Sequence, residues 1–510
     1  MSHLFTQFVS HTLRPLLLRL LRWTERSGPL SAPRSSLFLH REIHVPVWAV
    51  GAVVWVMLST VLFLEIGPGW PQAAAVLILS TALIALFGLY LRFDHPELAQ
   101  DEDAVAFLGV LIVGSVLGME LWFDAVQHFS WISPFGFPLP LAGLLAAILL
   151  HPRLAVISTV VLSLVFGILN GFSLESSLVV CFAGMAGVSR ALRVRTRGDI
   201  TRAGLWVALG GAAAVGMLAM MERWPRAQTL FAIKWVGVGS ALSTLLTLGL
   251  LPYMELFFSR LSNIRLLELS DVNHPLLKRL SLEAPGTFHH SLIMASLAQA
   301  AAERIGANAL LCRVGAYFHD IGKLAKPEYF VENQGALGNP HELLPPNMSR
   351  IVIQSHVKDG LALAQRHNLD RTLMDFITMH HGTSRIEYFY RRAIERAGAE
   401  DVDEDIYRYP GPRPLTRETA IVMLADSVEA STRTVENPAH QRLADHVARI
   451  VESKINDGQF DHVPLTLAEI QQVKDSFVNT LVGVYHTRIR YPTSQETDVE
   501  IRAAAPAPKK

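Results

Sequence analysis

Charge is what this sequence has least of. Only 18% of its 510 residues are Asp, Glu, Lys or Arg, and 45 basic residues balance 45 acidic ones. A chain without a basic excess has no electrostatic reason to gather nucleic acid. One that is 50% hydrophobic, with a mean hydropathy of +0.30, is neither disordered nor an ordinary soluble enzyme. Cysteine is scarce too: Cys181 lies in an apolar stretch and Cys312 in a helical one. Two thiols cannot build a disulfide framework or a cysteine zinc site, so both read as packing residues. Runs of period-two alternation, the mark of half-buried strands, are missing from the polar C-terminal half. The expected fold class is all-α, a polytopic helical membrane domain followed by an all-helical domain.

Apolar runs long enough to cross a bilayer, roughly 17 to 25 residues each, start near Pro46 and stop near Phe258. They predict spans near 46–66, 74–92, 104–124, 134–150, 154–171, 176–190, 203–221 and 231–252. The short polar break His151-Pro152-Arg153 and the shortness of the span ending at Arg190 leave seven as the alternative to eight. Cytoplasmic loops retain Lys and Arg. With both termini inside, fifteen arginines of the termini and loops fall on the inner side and only Arg223 and Arg226 on the outer. Everything beyond Phe258 is therefore expected in the cytoplasm. Glu65, Glu120, Asp124 and Glu175 sit near span ends and read as interfacial rather than as a transport path.

The expected organisation is a cytoplasmic N-terminal segment over 1–45, a transmembrane domain of about eight helices over 46–256 and a linker helix over 257–283. A helical domain follows over 284–495, then a disordered tail over 496–510. The first segment is not read as a signal peptide, because Arg14, Arg19 and Arg22 interrupt its apolar region and no small-residue cleavage site follows. Phe5, Phe8, Leu13, Leu16 and Leu20 recur at helical spacing. They fit an amphipathic helix on the inner membrane surface equally with one packed on the protein's own cytoplasmic domain.

Histidine is abundant, and it is concentrated. Eight of twenty lie between His289 and His381, more than twice what an even spread would give. The pieces are Gly286-Thr287-Phe288-His289-His290-Ser291, Phe318-His319-Asp320-Ile321-Gly322-Lys323, His356, His380-His381-Gly382-Thr383 and Ala425-Asp426-Ser427. Imidazole and carboxylate suit first-row metals such as iron, manganese and zinc, and helices that project ligands inward build two-metal sites. A carboxylate beside a ligating histidine, as in His319-Asp320, can bridge two ions about 3.5 to 4 Å apart. A lone His-Asp pair would mean nothing in so histidine-rich a chain. His289 reads as the neighbour of a ligand, and His341 and His367 as solvated loop residues. His356 alone fits a core histidine; in this company it reads as a ligand.

The strings His319-Asp320-Ile321-Gly322-Lys323, Pro327-Glu328-Tyr329-Phe330, Glu332-Asn333-Gln334, Ser355-His356-Val357-Lys358-Asp359-Gly360, Tyr409-Pro410-Gly411-Pro412 and Leu424-Ala425-Asp426-Ser427-Val428-Glu429-Ala430 resemble the HD superfamily of metal-dependent phosphohydrolases. More narrowly, the stretch from Leu267 to Pro492 looks like the bacterial seven-transmembrane HD proteins of the PgpH type. The resemblance implies two divalent metal ions, iron or manganese, held by His290, His319, Asp320, His356, His380, His381 and Asp426, with Asp320 as the bridge. It implies hydrolysis of cyclic di-AMP to linear pApA by a metal-activated water, on the inner face of a bacterial cytoplasmic membrane. Such proteins usually carry a large extracytoplasmic domain after the first span, where this chain has only Gly67 to Gln72.

Lys323, one turn from His319 and Asp320, is expected to act in catalysis by contacting a phosphate oxygen. Tyr388 and Tyr390 are expected to bind substrate by stacking on a base, with at least one member of the Tyr388-Phe389-Tyr390 run packed in the core. No residue stands out as a general acid. The competing readings are a cyclic di-GMP phosphodiesterase, a nucleotide-binding membrane receptor without catalysis, and a transporter. Against the first, Gly382-Thr383 rather than Gly-Tyr-Pro follows the paired histidines. The expected partners are a cyclic dinucleotide, the lipid bilayer and a second copy of the chain as a homodimer, with no nucleic-acid polymer.

Overall fold

Helices account for every extended element of the computed structural model, which describes residues 46–485 apart from 67–68, 95, 100, 259, 335–337, 399–401 and 434–438. Among the described residues a single β-bridge pairs Arg385 with Arg408. The expectations for the first 45 residues and for the tail lie outside the described residues.

The apolar half forms α1 (Val47–Ile66), α2 (Trp70–Asp94), α3 (Glu102–His128), α4 (Pro140–Leu149), α5 (Pro152–Leu169), α6 (Leu174–Ala191), α7 (Arg197–Met221) and α8 (Arg226–Phe257). Six of these, α2, α3 and α5 through α8, are long and apolar enough to cross a membrane, and the chain is a multi-pass membrane protein. The apolar part of α1, Val47–Phe63, is shorter. So is α4, whose ten residues rise about 15 Å against a hydrocarbon layer of about 30 Å. Pro134, Pro138 and Pro140 explain the shortfall at 134–150. Proline cannot donate within a helix, so Pro134–Gly136 makes only a 3-10 turn before α4 begins.

The chain divides into two units, 1–188 with 204–243 and 189–203 with 244–510. In the first, the Phe123 and Phe166 rings pack 5.0 Å apart, and Trp122 meets Trp235 edge-on at 6.2 Å. Thr159 and Ser163 donate their hydroxyls to the carbonyls of Ala155 and Thr159 at 2.7 Å, which satisfies both inside the helix that carries them. Ile78, Leu86 and Met220 are exposed, as suits surfaces that lipid rather than water covers.

In the second unit, the linker stretch forms two helices, α9 (Asn263–Leu269) and α10 (Pro275–Glu283), parted at Asn273-His274-Pro275. Pro275 bars helical geometry at the residue before it. Leu266, Leu269, Leu276 and Leu277 of these helices are buried in the same core as the helices that follow. Those are α11 (Pro285–Ile305), α12 (Ala309–Phe318), α13 (Pro346–Arg366), α14 (Arg371–Met379), α15 (Glu387–Ala397), α16 (Arg417–Thr432), α17 (His440–Asn456) and α18 (Leu467–Tyr485).

Two of them organise the rest. The buried residues of α11, among them His290, Met294, Leu297, Ala298, Ala301 and Ala302, recur three and four apart, giving a face narrow enough for α12, α16 and α18 to pack closely against it. The buried run Thr419 to Asp426, with Val428 and Glu429, makes α16 a helix surrounded by protein. Asp426 and Glu429 are therefore forced into the interior, three residues apart on one face.

Candidate metal centre

His319 ends α12 and Asp320 opens a 3-10 segment, Ile321–Ala325. In 3-10 geometry residues three apart eclipse each other, and Lys323 accordingly places its Nζ 2.7 Å from Asp320 Oδ2. His356 lies mid-way along α13, His380 closes α14 and His381 follows it, and α11 and α16 bring in His290 and Asp426. The segments fit tightly. A Cβ on Gly322 would come within 1.8 Å of the His356 carbonyl oxygen, so only glycine lets the 3-10 turn reach α13.

Asp320 lies between two sets of nitrogens. Its Oδ1 is 3.4 Å from His356 Nε2 and 3.6 Å from His380 Nε2, while its Oδ2 is 3.0 Å from His319 Nε2. On the far side, Asp426 Oδ1 is 3.1 Å from His290 Nε2 and 3.8 Å from His319 Nε2, and Asp426 Oδ2 is 3.6 Å from His381 Nδ1. Three groups have ligand atoms spaced for a metal ion: His356, His380 and His381; His290, His319 and Asp426; and His319, Asp320 and His380. The seven residues expected as ligands lie together.

The imidazoles are oriented for the task. Nδ1 of His319 donates to Ala316 O at 2.7 Å, that of His356 to Ile353 O at 2.6 Å, and that of His380 to Phe376 O and Ile377 O at 3.0 and 2.9 Å. With the proton on Nδ1, each Nε2 keeps a lone pair aimed inward, the arrangement that prepares a histidine for a metal. His290 Nδ1 is held by Glu429, which in turn accepts from Arg433. The buried His319 Nε2 and Asp320 Oδ1 have no hydrogen-bond partner, a costly arrangement unless a cation takes them. Residues and geometry fit divalent metal.

Electrostatics agree. Burial alone would raise the Asp320 and Asp426 carboxyls, but neighbouring histidines, with Lys323 beside Asp320, hold both well below the usual range. Burial lowers His356 to about 4, against the pull of the Asp320 carboxylate and with the Lys323 charge adding to it. His290 goes the other way: burial opposes its charge, yet Asp426 and Glu429 raise it to about 9, so without metal the site takes a proton there.

Lys323 is no surface lysine. Its Nζ also pairs with Glu332 Oε1 at 2.7 Å, and Glu332 accepts from the Thr287 hydroxyl at 3.0 Å. Tyr388 is exposed and meets Phe389 edge-on, Phe389 is buried, and Tyr390 contacts Tyr407 and lies under the Arg385 guanidinium. No ring contact or hydrogen bond joins Tyr388 or Tyr390 to the histidine cluster among the described residues. His341, expected in solvent, is buried: its Nε2 donates to Tyr329 O at 2.9 Å and its ring packs 4.8 Å from Phe389. The aromatic neighbours of its Pro-rich loop, distant in sequence, close over it. His367 is exposed as expected.

Three neighbours of the cluster were not singled out from sequence: Glu332, Glu429 and Tyr409, whose ring stacks on His381 at 4.2 Å. Each lay within a string that carried the family resemblance, but nothing local marks Glu332 as the partner of Lys323 and Thr287, Glu429 as that of His290 or Tyr409 as that of His381.

Fold and site together define an HD domain behind a polytopic helical membrane domain. The sequence matches the family model for a 7TM receptor with intracellular HD hydrolase over residues 70–262 and that for the HD domain over 287–431, and the chain belongs to this 7TM-HD family. It is 38% identical to the cyclic-di-AMP phosphodiesterase PgpH of Bacillus subtilis over 431 residues, covering 82% of this chain and 60% of that protein. It is 35% identical to the PgpH of Listeria monocytogenes, covering 83% and 60%. The chain thus spans 60% of the length of these curated relatives. The crystal structure of the L. monocytogenes PgpH HD domain in complex with cyclic-di-AMP aligns with 44% identity and a TM-score of 0.41, over 42% of this chain and all of that one.

Proposed function

We propose that this protein is a metal-dependent phosphodiesterase that opens cyclic di-AMP to linear pApA, with its HD domain in the cytoplasm, anchored to a bacterial cytoplasmic membrane. One observation carries the metal reading: Asp320 turns one oxygen toward His356 and His380 and the other toward His319, the disposition of a carboxylate shared by two ions. The donor set of imidazole and carboxylate suits iron or manganese. Two divalent cations here would neutralise charge on the phosphoryl oxygens and make water a better nucleophile near neutral pH.

The protein's own part is position and charge, which is most of what phosphoryl transfer asks. Backbone carbonyls lock His319, His356 and His380 in the tautomer that leaves Nε2 free. Lys323 gives two of its three N–H groups to Asp320 and Glu332. The third would go to a phosphoryl oxygen of the substrate, so the lysine would both fix the carboxylate that Asp320 offers to metal and meet the substrate. Burial of His319, Asp320, His356 and His380 keeps bulk water from competing for these charges.

The choice of adenine rests on the two PgpH relatives, because the metal ligands meet only the phosphodiester that every cyclic dinucleotide shares. Side-by-side assays of cyclic di-AMP and cyclic di-GMP on the metal-loaded protein test it. A higher kcat/KM for cyclic di-AMP is expected, and an equal or lower value overturns the substrate while leaving the reaction class intact.

A further inference from the structure

The cations near the metal centre are paired with carboxylates: Lys323 with Asp320 and Glu332, Arg408 with Glu404 and Asp457, Arg413 with Asp461. Lys454 is different. Its Nζ donates to the Ser384 hydroxyl at 2.7 Å, and among the described residues no carboxylate lies within ion-pairing distance of it. Asp457 already spends its oxygens on Arg408 at 2.9 Å and on Gln459 at 2.8 Å. The ammonium feels Asp426 and Asp457 through space without touching either, and burial weakens its hold on its proton. An ammonium has three N–H groups, and among the described residues only the Ser384 hydroxyl accepts from this one.

Its position gives this meaning. Lys454 reaches from α17 to Ser384, which lies in the turn after His381 and donates its N–H to the His381 carbonyl at 3.0 Å. Tyr409 donates its own N–H to the Ser384 carbonyl at 3.0 Å and stacks its ring on His381. The lysine head is thus tied to the turn that follows a proposed metal ligand, and Tyr409, bonded to the same turn, covers the ring of that ligand. A half-buried cation lacking a counter-charge favours an anionic ligand. A cyclic dinucleotide carries two phosphodiesters, of which only one can lie over the metals.

We propose that Lys454, held by Ser384, binds the second, non-reacting phosphodiester of a cyclic dinucleotide. This rests on the reading of the site as a dinucleotide phosphodiesterase and adds how such a substrate is told from one with a single phosphodiester. The contact is blind to the base, so it serves adenine and guanine dinucleotides alike.

The test uses the full chain in detergent, as wild type, Lys454→Met and Lys454→Arg, with thermal unfolding and metal content measured for each. Affinity for cyclic di-AMP is read calorimetrically on chelator-treated protein, and kcat and KM on metal-loaded protein. Lys454→Met should raise both Kd and KM about ten- to a hundredfold, the range for a hydrogen bond to a charged group, with a much smaller change in kcat. Lys454→Arg should recover most of the affinity. The ratio of kcat/KM for cyclic di-AMP to that for bis(p-nitrophenyl) phosphate should fall by a similar factor, about ten- to a hundredfold, in Lys454→Met. Values of Kd and KM within about twofold of wild type, or an equal loss on both substrates, would overturn the proposal. If the wild type binds cyclic di-AMP without cleaving it, the enzymatic reading fails while the Kd comparison still decides for or against Lys454; if it binds none, both fall.

Discussion

His356 and His380 face each other with their Nε2 atoms 3.2 Å apart, and each has its Nδ1 on a backbone carbonyl. Two lone pairs so close repel unless a cation lies with them. His356→Ala should therefore lower bound metal per chain and cut turnover by at least about a hundredfold, while far-UV circular dichroism stays that of the wild type. Asp426→Ala should do the same from the opposite end of the cluster. Full activity and full metal content in either variant would show that the residue is not a ligand.

The metal-free protein should be most stable near neutral pH. His356 has a folded pKa of about 4 against an ordinary value of 6.5, so below pH 6.5 the unfolded chain takes a proton that the folded one refuses. Stability is lost as pH falls from 6.5 toward 4. His290, raised to about 9, stabilises fully below 6.5, and its contribution is lost as pH rises toward 9. A thermal-unfolding series on chelator-treated protein should show Tm falling on both sides; a Tm that climbs steadily on acidification through this window would contradict it.

Glu332→Gln removes one of the two carboxylates that hold Lys323 and weakens its link to Thr287. Turnover should drop about tenfold with metal content unchanged, since Glu332 is no ligand. Unaltered kcat would show that Asp320 alone positions the lysine.

Gly322→Ala sets a Cβ against the backbone of α13, 1.8 Å from His356 O and 2.5 Å from Gly360 N. Neither atom can swing aside as a side-chain end would. Overpacking of this kind costs about 1–3 kcal/mol, and it displaces the helix that carries His356. A clear fall in Tm together with weaker metal binding is expected; a variant that unfolds and binds metal like the wild type would mean that the turn relaxes freely.

What was legible in the sequence follows from how local each signal is. The helical class was plain, because apolar runs and helical periodicity are properties of neighbouring residues. His319-Asp320 and His380-His381 stood out because adjacent ligands leave an adjacent trace. Glu429 and Tyr409 left none: they touch His290 and His381 across 139 and 28 residues of chain, and only folding makes them neighbours. His341 looked solvated because its loop is polar and rich in proline, while the aromatic rings that bury it are supplied from either side of it. The stretch at 134–150 looked long enough to span because hydropathy ignores what three prolines do to a helix.

The central claim, a two-metal centre that hydrolyses a cyclic dinucleotide, is tested most directly by incubating the full chain in detergent with cyclic di-AMP and resolving the products by chromatography. Manganese- or iron-loaded wild type should yield pApA, chelator-treated protein none, and His356→Ala at most about a hundredth as much. Intact cyclic di-AMP after incubation with metal-loaded protein, or equal pApA with and without metal, would contradict the account.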